Sequence, residues 1–465
     1  GCFKIGGQEC NHTTSWGPCY QPDGEVDWYK AMNEYGGTNE KHKLQYLPQE
    51  LIDIRDSSAD TLLQSTSTTS GPPNLANFCR PGFLIIGGGK CGTSSLYHYL
   101  VDHPRVLAAS QKQVHYFKNN TQQGLKWYLG HFPSAISFMA KGALMTGEAS
   151  PGYLPYPNVA AATRKEMGGT KIICVGRDPI DRAWSSYRYN YVNPALELMK
   201  NGQVPGVDSE KRNDGNNAYF MSFLYSFEEM LRAELKVLRR CLAVGGFGAE
   251  GSRLKWGHEE WAQSEYARRE ALRLPPLVDL DGQCYGDFIS PEVPRKQWQD
   301  LVDKKPGKFL NVPSIYLSQA MIGRSLYVYA LEWWYAVFDE NNDDSNKHTA
   351  SNLYFLCTEE MRDKRGTGID KVGQFLGLPE HNFSSIVSKG MFNVAGHKGY
   401  DTMTSWDTEA GKKEGELFSK SEQTEEHAAG KEIPLSDEFR EELLAFLKPH
   451  NERLFELTGK RCDWS

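Results

Sequence analysis

Apolar residues run without alternation through "FLIIG" (83–87), stop at a cluster of glycines, and resume at helical spacing in "SSLYHYL". That pattern predicts a buried strand over 83–87 and a helix from about Ser94 to Asp102. A second strand is expected in "VLAAS" (106–110) and a helix in "GLKWYLGHF" (124–132). "KIICVGRDP" (171–179) reads as an apolar strand that leaves at a proline, followed by a helix over 181–192. Further on, helices are expected over 227–243, 323–338 and 368–378, with a buried strand at 352–357. The last helix, 436–459, has Ser436 as its N-cap and Pro449 as a kink. Strands joined by helices imply an α/β fold, a central parallel sheet with helices on both faces.

The polar stretches divide the chain. Residues 1–76 are rich in Ser, Thr, Gly and Asn and read as an extension or linker, so the catalytic domain is expected over 77–465. Within it, 193–310 is less regular and reads as an insert. Its seventeen basic residues are balanced by eighteen acidic ones, so it is not a basic platform. Residues 341–352 read as a surface loop and 405–432 as a charged, flexible stretch. The net charge of −7 and the lack of a long basic tract exclude nucleic-acid binding by electrostatics alone. No run of 18 apolar residues occurs, so no spanning helix is expected. Of ten cysteines, three (Cys2, Cys10, Cys19) cluster at the start; with the sequons at Asn11, Asn119 and Asn382 they favour an oxidising, secretory compartment. At least one disulfide is expected among Cys2, Cys10, Cys19, Cys79, Cys241, Cys284 and Cys462, with Cys91 and Cys174 as free thiols.

The stretch "GGGKCGTSS" (87–95) carries the chemistry. A glycine-rich turn lets backbone N–H groups approach an anion, and the N-terminus of the following helix favours negative charge. A triphosphate loop places its lysine beside the hydroxyl residue, whereas here Lys90 precedes Gly92, with Thr93, Ser94 and Ser95 after it. A triphosphate site also needs a carboxylate-held metal after a second strand. The second strand here leads instead to Arg177, Arg182 and Ser185, a second anion site. Two anion sites on neighbouring strands fit a nucleotide with two separated phosphates. No cluster with metal-ligand spacing appears, and no metal is expected.

"GGGKCGTSSLYHYL" resembles the 5′-phosphosulfate loop of sulfotransferases, and "VGRDPIDRAWSSY" resembles their 3′-phosphate motif. "HPRVLAASQKQVHYF", "GLKWYLGHFP", "TGEASPGYL", "GRSLYVYALEWW", "FNVAGHKGY" and "LLAFLKPHNERLFELTGKRCDW" are similar to later segments of the glycosaminoglycan enzymes. The resemblance spans about 80–464, without the insert or the first 76 residues. It names the carbohydrate sulfotransferases of the heparan and chondroitin type. It implies a P-loop-like three-layer α/β sandwich, adenosine 3′-phosphate 5′-phosphosulfate (PAPS) as co-substrate, and a glycan acceptor in a cleft shaped by the insert. It also implies the Golgi lumen, with a membrane anchor upstream of "GCFKIGG".

By the same resemblance, Lys90, Cys91, Gly92, Thr93, Ser94 and Ser95 hold the 5′ end of PAPS, and Arg177 and Ser185 the 3′-phosphate, with Arg182 either beside them or in a structural salt bridge. Arg324 and Tyr327 are nucleotide contacts on the late helix. Lys398, Gly399 and Tyr400 form a lid, which no cysteine pair brackets as in many relatives. Relatives commonly carry a catalytic glutamate two residues before the histidine of "QKQVHYF"; here that position is Gln113, and an amide cannot take a proton at neutral pH. The base is then His115, on the face of Gln113 by the two-residue period of an extended segment, or Glu148, with Lys112 and Gln113 positioning the reacting groups. Three alternatives stay open. One is a silenced, carbohydrate-binding member of the fold. The others are a sulfotransferase for protein tyrosine or a small molecule, and a P-loop kinase.

Overall fold

The computed structural model describes residues 78–202, 226–243, 320–338, 352–392, 403–405 and 433–464. In chain order these form β1 (Phe83–Gly87), α1 (Thr93–Asp102), β2 (Val106–Ala108), α2 (Gly124–Leu129), α3 (Ala135–Lys141), β3 (Met145–Ala149), α4 (Pro157–Met167), β4 (Lys171–Gly176), α5 (Pro179–Tyr187) and α6 (Asn193–Lys200). They continue with α7 (Phe227–Ala243), α8 (Tyr327–Phe338), β5 (Leu353–Cys357), α9 (Thr358–Met361), α10 (Thr367–Leu376), α11 (Ser384–Val387), β6 (Gly390–Phe392), β7 (Met403–Ser405) and α12 (Asp437–Thr458).

The five main strands form one parallel sheet in the order β2-β3-β1-β4-β5. Phe83 of β1 lies opposite Gly147 of β3 on one side and Lys171 of β4 on the other. Every residue of β1 is buried, as a parallel strand covered on both faces must be, which is why its sequence is a continuous apolar run. α1 packs across β1, β2 and β3 and against α10, while α8 packs between α4 and α12. This is the expected α/β architecture. The expected elements are present with shifted ends: β2 stops at Ala108, α2 at Leu129, and the helix expected over 181–192 is α5 followed by a π-helical turn at Arg188–Val192.

β3 and α4 carry no clear periodic signal and were not expected. β3 reads "MTGEA", with a glycine at its centre. Gly147 is required there, because a Cβ would stand 2.5 Å from the Phe83 ring of β1. The insert (except 193–202 and 226–243), the extension before residue 78, the 341–352 loop (except Asn352), nearly all of the 405–432 stretch and the lid residues lie outside the described residues.

Cys91 and Cys174 are buried free thiols, and Cys79 is disulfide-bonded. Cys357, at the end of β5, is bonded to Cys462 across 105 residues. That pair spans the lid segment in sequence, which corrects the expectation that no cysteine pair brackets it. Closing so long a loop restricts the unfolded chain strongly. Cys462→Ser is therefore expected to lower the unfolding free energy by about 2–4 kcal/mol. Denaturant titration beside the parent checks this, and equal midpoints would contradict it.

Candidate functional site

β1 and β4 are neighbours at the middle of the sheet, so the loops leaving their C-terminal ends lie side by side. In open α/β sheets that is where ligands sit. The first loop, Gly88–Gly92, is close-packed: a Cβ on Gly88 would meet Cys91 Sγ at 2.9 Å and the Tyr327 ring at 3.0 Å. Lys90 (φ 71) and Gly92 (φ 86) are left-handed, a conformation that costs a lysine and marks a constrained turn. Gly92 is the N-cap of α1 and supplies no side-chain acceptor to the first turn, so backbone N–H groups are presented at the start of the helix. Backbone N–H groups at a helix start can receive an anion.

The second loop starts at Arg177. Asp178 caps α5, accepting from the N–H groups of Ile180 at 2.9 Å and Asp181 at 3.0 Å. Burial first, then Asp181 and Glu359, push its pKa up to about 7. Its carboxylate is committed to this cap, which leaves the loop's chemistry to Arg177 and Ser185. Arg177 is 5% exposed and stands 3.8 Å from Asp181. Ser185, on the same helix, is half-buried.

Two buried hydroxyls staple the loops together. Tyr327 OH donates to the Arg177 carbonyl at 3.0 Å and lies 3.3 Å from Cys91 Sγ. Thr358 Oγ1 lies 2.8 Å from both the Cys91 and the Gly176 carbonyl oxygens. Sequence reasoning missed Thr358, since nothing in "CTEEM" distinguishes it from a helix cap. Trp464 adds a further brace. Its indole N–H donates to Glu359, and the other oxygen of Glu359 accepts the Asp178 N–H.

Several expected contacts take other roles. Tyr327 is 1% exposed and is the staple just described, so its side chain is closed to a nucleotide. Arg182 is fully buried. Its guanidinium donates to the carbonyls of Gly89 at 3.2 Å and Met321 at 2.8 Å, so it fixes the loop's shape through backbone oxygens. Ser95 bonds Phe392 of β6 instead of a ligand. Burial pushes the Cys91 thiol pKa up, which leaves it neutral. Thr93 and Ser94 open α1, and Lys112 Nζ donates to Thr93 Oγ1 at 3.5 Å. Lys90 Nζ rests 3.9 Å from the centre of the Tyr189 ring. Arg324 lies against Gly89, beside a pocket described below. Lys398, Gly399 and Tyr400 lie outside the described residues.

The segment carrying Lys112, Gln113 and His115 is laced to the end of β3. The Lys112 carbonyl accepts the Ala149 N–H at 2.8 Å. Val114 N–H donates to Glu148 Oε2 at 3.0 Å, and His115 N–H to Ser150 Oγ at 3.1 Å. Glu148 is fully buried and also receives Tyr128 OH at 3.0 Å, Tyr153 OH at 2.9 Å and Ser150 OH at 2.6 Å. Burial raises its pKa and these donors draw it back. With four donors and no surface, Glu148 cannot meet an acceptor hydroxyl. The structure corrects its assignment as a possible base: it is a clamp. It also corrects the shared face of Gln113 and His115. His115 is left-handed (φ 55) and opens a π-helical turn, so the two-residue alternation ends there. Its ring is partly buried, which with Lys118 and Lys112 lowers its pKa.

Comparison with known proteins finds sulfotransferases. Residues 80–233 match the sulfotransferase domain family. The membrane-associated sulfotransferase kil1 of Dictyostelium discoideum is 21% identical over 398 residues, 83% of this chain and 67% of that protein. The human bifunctional heparan sulfate N-deacetylase/N-sulfotransferase 3 is 33% identical over 115 residues, 23% of this chain and 13% of that protein. The mouse heparan sulfate glucosamine 3-O-sulfotransferase 3B1 is 33% identical over 153 residues, 31% of this chain and 36% of that protein. The chain thus matches well under half the length of either heparan sulfate enzyme. A sulfotransferase structure from Alicyclobacillus acidocaldarius aligns over 83% of this chain and 98% of its own, at 19% identity and a TM-score of 0.35.

Proposed function

We propose that this chain, which matches the sulfotransferase domain family over residues 80–233 and is similar to heparan sulfate sulfotransferases, moves a sulfuryl group from PAPS to a hydroxyl of a glycan, glycosaminoglycan-like in character. The observation that carries the reading is the stapled pair of anion-receptive loops at the ends of β1 and β4. A rigid pair of this kind holds two phosphates at a fixed separation, which suits a 3′,5′-bisphosphorylated nucleotide. The Gly88–Gly92 backbone and the start of α1 hold the 5′-phosphosulfate. Arg177 and Ser185 hold the 3′-phosphate. Lys90 and the lid residue Lys398 neutralise charge on the phosphosulfate oxygens. His115 takes the proton of the acceptor hydroxyl as its oxygen attacks sulfur. A lumenal, secretory setting goes with this reading; no helix among the described residues is long and apolar enough to cross a membrane.

Arg177→Ala is expected to weaken 3′,5′-ADP by the value of a charged hydrogen bond, about 1.5–3 kcal/mol. Calorimetric titration measures it, and an unchanged affinity would remove Arg177 from the site. The reaction itself is tested with labelled PAPS against a panel of desulfated and sulfated polysaccharides. Label should enter at least one polysaccharide. Transfer only to tyrosine peptides or small phenols would move the acceptor class. Binding of ATP with magnesium but not of PAPS would replace the reading with a kinase.

A further inference from the structure

Arg324 is a cation set into the protein without a counter-ion. Among the described residues no carboxylate pairs with it, and its hydrogen bond is to the Pro151 carbonyl, at 3.4 Å. Burial first, and then the neighbouring Arg182 guanidinium, lower its pKa to about 10. A buried charge is costly unless something of opposite sign completes it. None of the described residues supplies that charge, and a bound anion would.

The position of the guanidinium says which part of the ligand. It packs on Gly89, where a Cβ would stand 2.7 Å from one terminal nitrogen, so a side chain there would push the guanidinium aside. Gly88, Gly89, Pro151, Leu154 and Pro155 line a pocket with it. One wall of that pocket is the loop that faces the nucleotide's 5′ end. The other begins at Pro151, directly after Ser150, which holds the backbone of His115. Arg324 therefore stands between the nucleotide loop and the segment that faces the acceptor. Arg177 lies on the other loop.

We propose that Arg324 is a catalytic residue that pairs with the non-bridging oxygens of the sulfuryl group being transferred. This rests on the sulfotransferase reading above and assigns one role within it. In the step, the acceptor oxygen forms its bond to sulfur while the bond from sulfur to the bridging phosphate oxygen breaks. That electron pair leaves with 3′,5′-ADP, and the hydroxyl proton goes to the base. The sulfuryl oxygens stay negative throughout, and a planar guanidinium can hold two of them at once.

The test compares two ligands that differ only in the sulfuryl group. Titration of the parent, Arg324→Ala and Arg324→Lys with 3′,5′-ADP and with PAPS gives six dissociation constants. The alanine variant should bind 3′,5′-ADP within about twofold of the parent and PAPS roughly ten- to hundredfold more weakly, with partial recovery in the lysine variant. Equal weakening toward both ligands, or none toward either, would overturn the assignment while leaving the sulfotransferase reading in place. A parent that binds neither ligand would remove both. Arg324→Gln carries the same comparison should the alanine variant fail to fold, as its melting curve will report.

Discussion

His115→Ala should lose on the order of 10²–10⁴ in turnover while its affinity for 3′,5′-ADP stays at the parent's value. Position 113 is an amide and cannot accept the proton. Glu148, the other nearby carboxyl group on this segment's anchor, is sealed beneath four donors. Of the two groups expected as base, that leaves His115, and its ring is only partly buried. The pH profile sharpens the test. A base works in its neutral form, and burial together with Lys118 and Lys112 lowers the imidazole pKa below its ordinary 6.5. The rate should therefore be flat around pH 7 and fall only on the acid side of 6.5. An unaltered turnover in His115→Ala would remove His115 as base. No turnover in the parent, with turnover created by Gln113→Glu, would identify the chain as a silenced enzyme.

Glu148→Ala should cost about 3–5 kcal/mol of stability, because it strands four buried donors, each worth about 1–3 kcal/mol when left unsatisfied, with partial relaxation. The substitution leaves the Val114 N–H and the hydroxyls of Tyr128, Tyr153 and Ser150 without their acceptor. Each is buried or nearly so, and each would forfeit its hydrogen bond without regaining water. Glu148→Gln keeps the shape and one carbonyl oxygen, and the tyrosine hydroxyls can turn to accept from the amide, so its loss should be smaller. The segment released is the one that carries Lys112 and His115, so a variant that still folds should also lose turnover. Chemical denaturation of the three proteins checks the order parent, Gln, Ala; an alanine variant as stable as the parent would show that the network is not closed in solution.

The sheet's centre was readable from sequence because a parallel strand buried on both faces is a plain apolar run, as in "FLIIG" and "KIICVG". β3 was not, because its middle position must be glycine to pass the Phe83 ring, and an acidic residue stands beside it. The anion loops were readable because backbone-led binding needs glycines and a helix start at fixed spacing. The assignment of individual side chains was less so. Arg182 and Arg177 sit five residues apart in one motif with the same chemistry, and only the fold turns one onto the Gly89 carbonyl. The resemblance puts Tyr327 at the nucleotide, and its carboxyl group makes Glu148 one of two candidate bases. Their burial, which decides against both, comes from packing between segments more than a hundred residues and about thirty residues apart in sequence, respectively. Thr358 leaves no trace at all, since its role is to touch two carbonyls brought together by the sheet order.

The central claim is that the two stapled loops hold the two phosphates of one nucleotide. Thermal melting of the parent with 3′,5′-ADP, and separately with 5′-AMP at the same concentration, tests it most directly, because a ligand bound to the folded state stabilises it by RT ln(1 + [L]/Kd), so the tighter ligand gives the larger rise. Both sites engaged together should give a clear rise with 3′,5′-ADP and a much smaller one with 5′-AMP. Equal shifts with the two nucleotides, or none with either, would contradict the account.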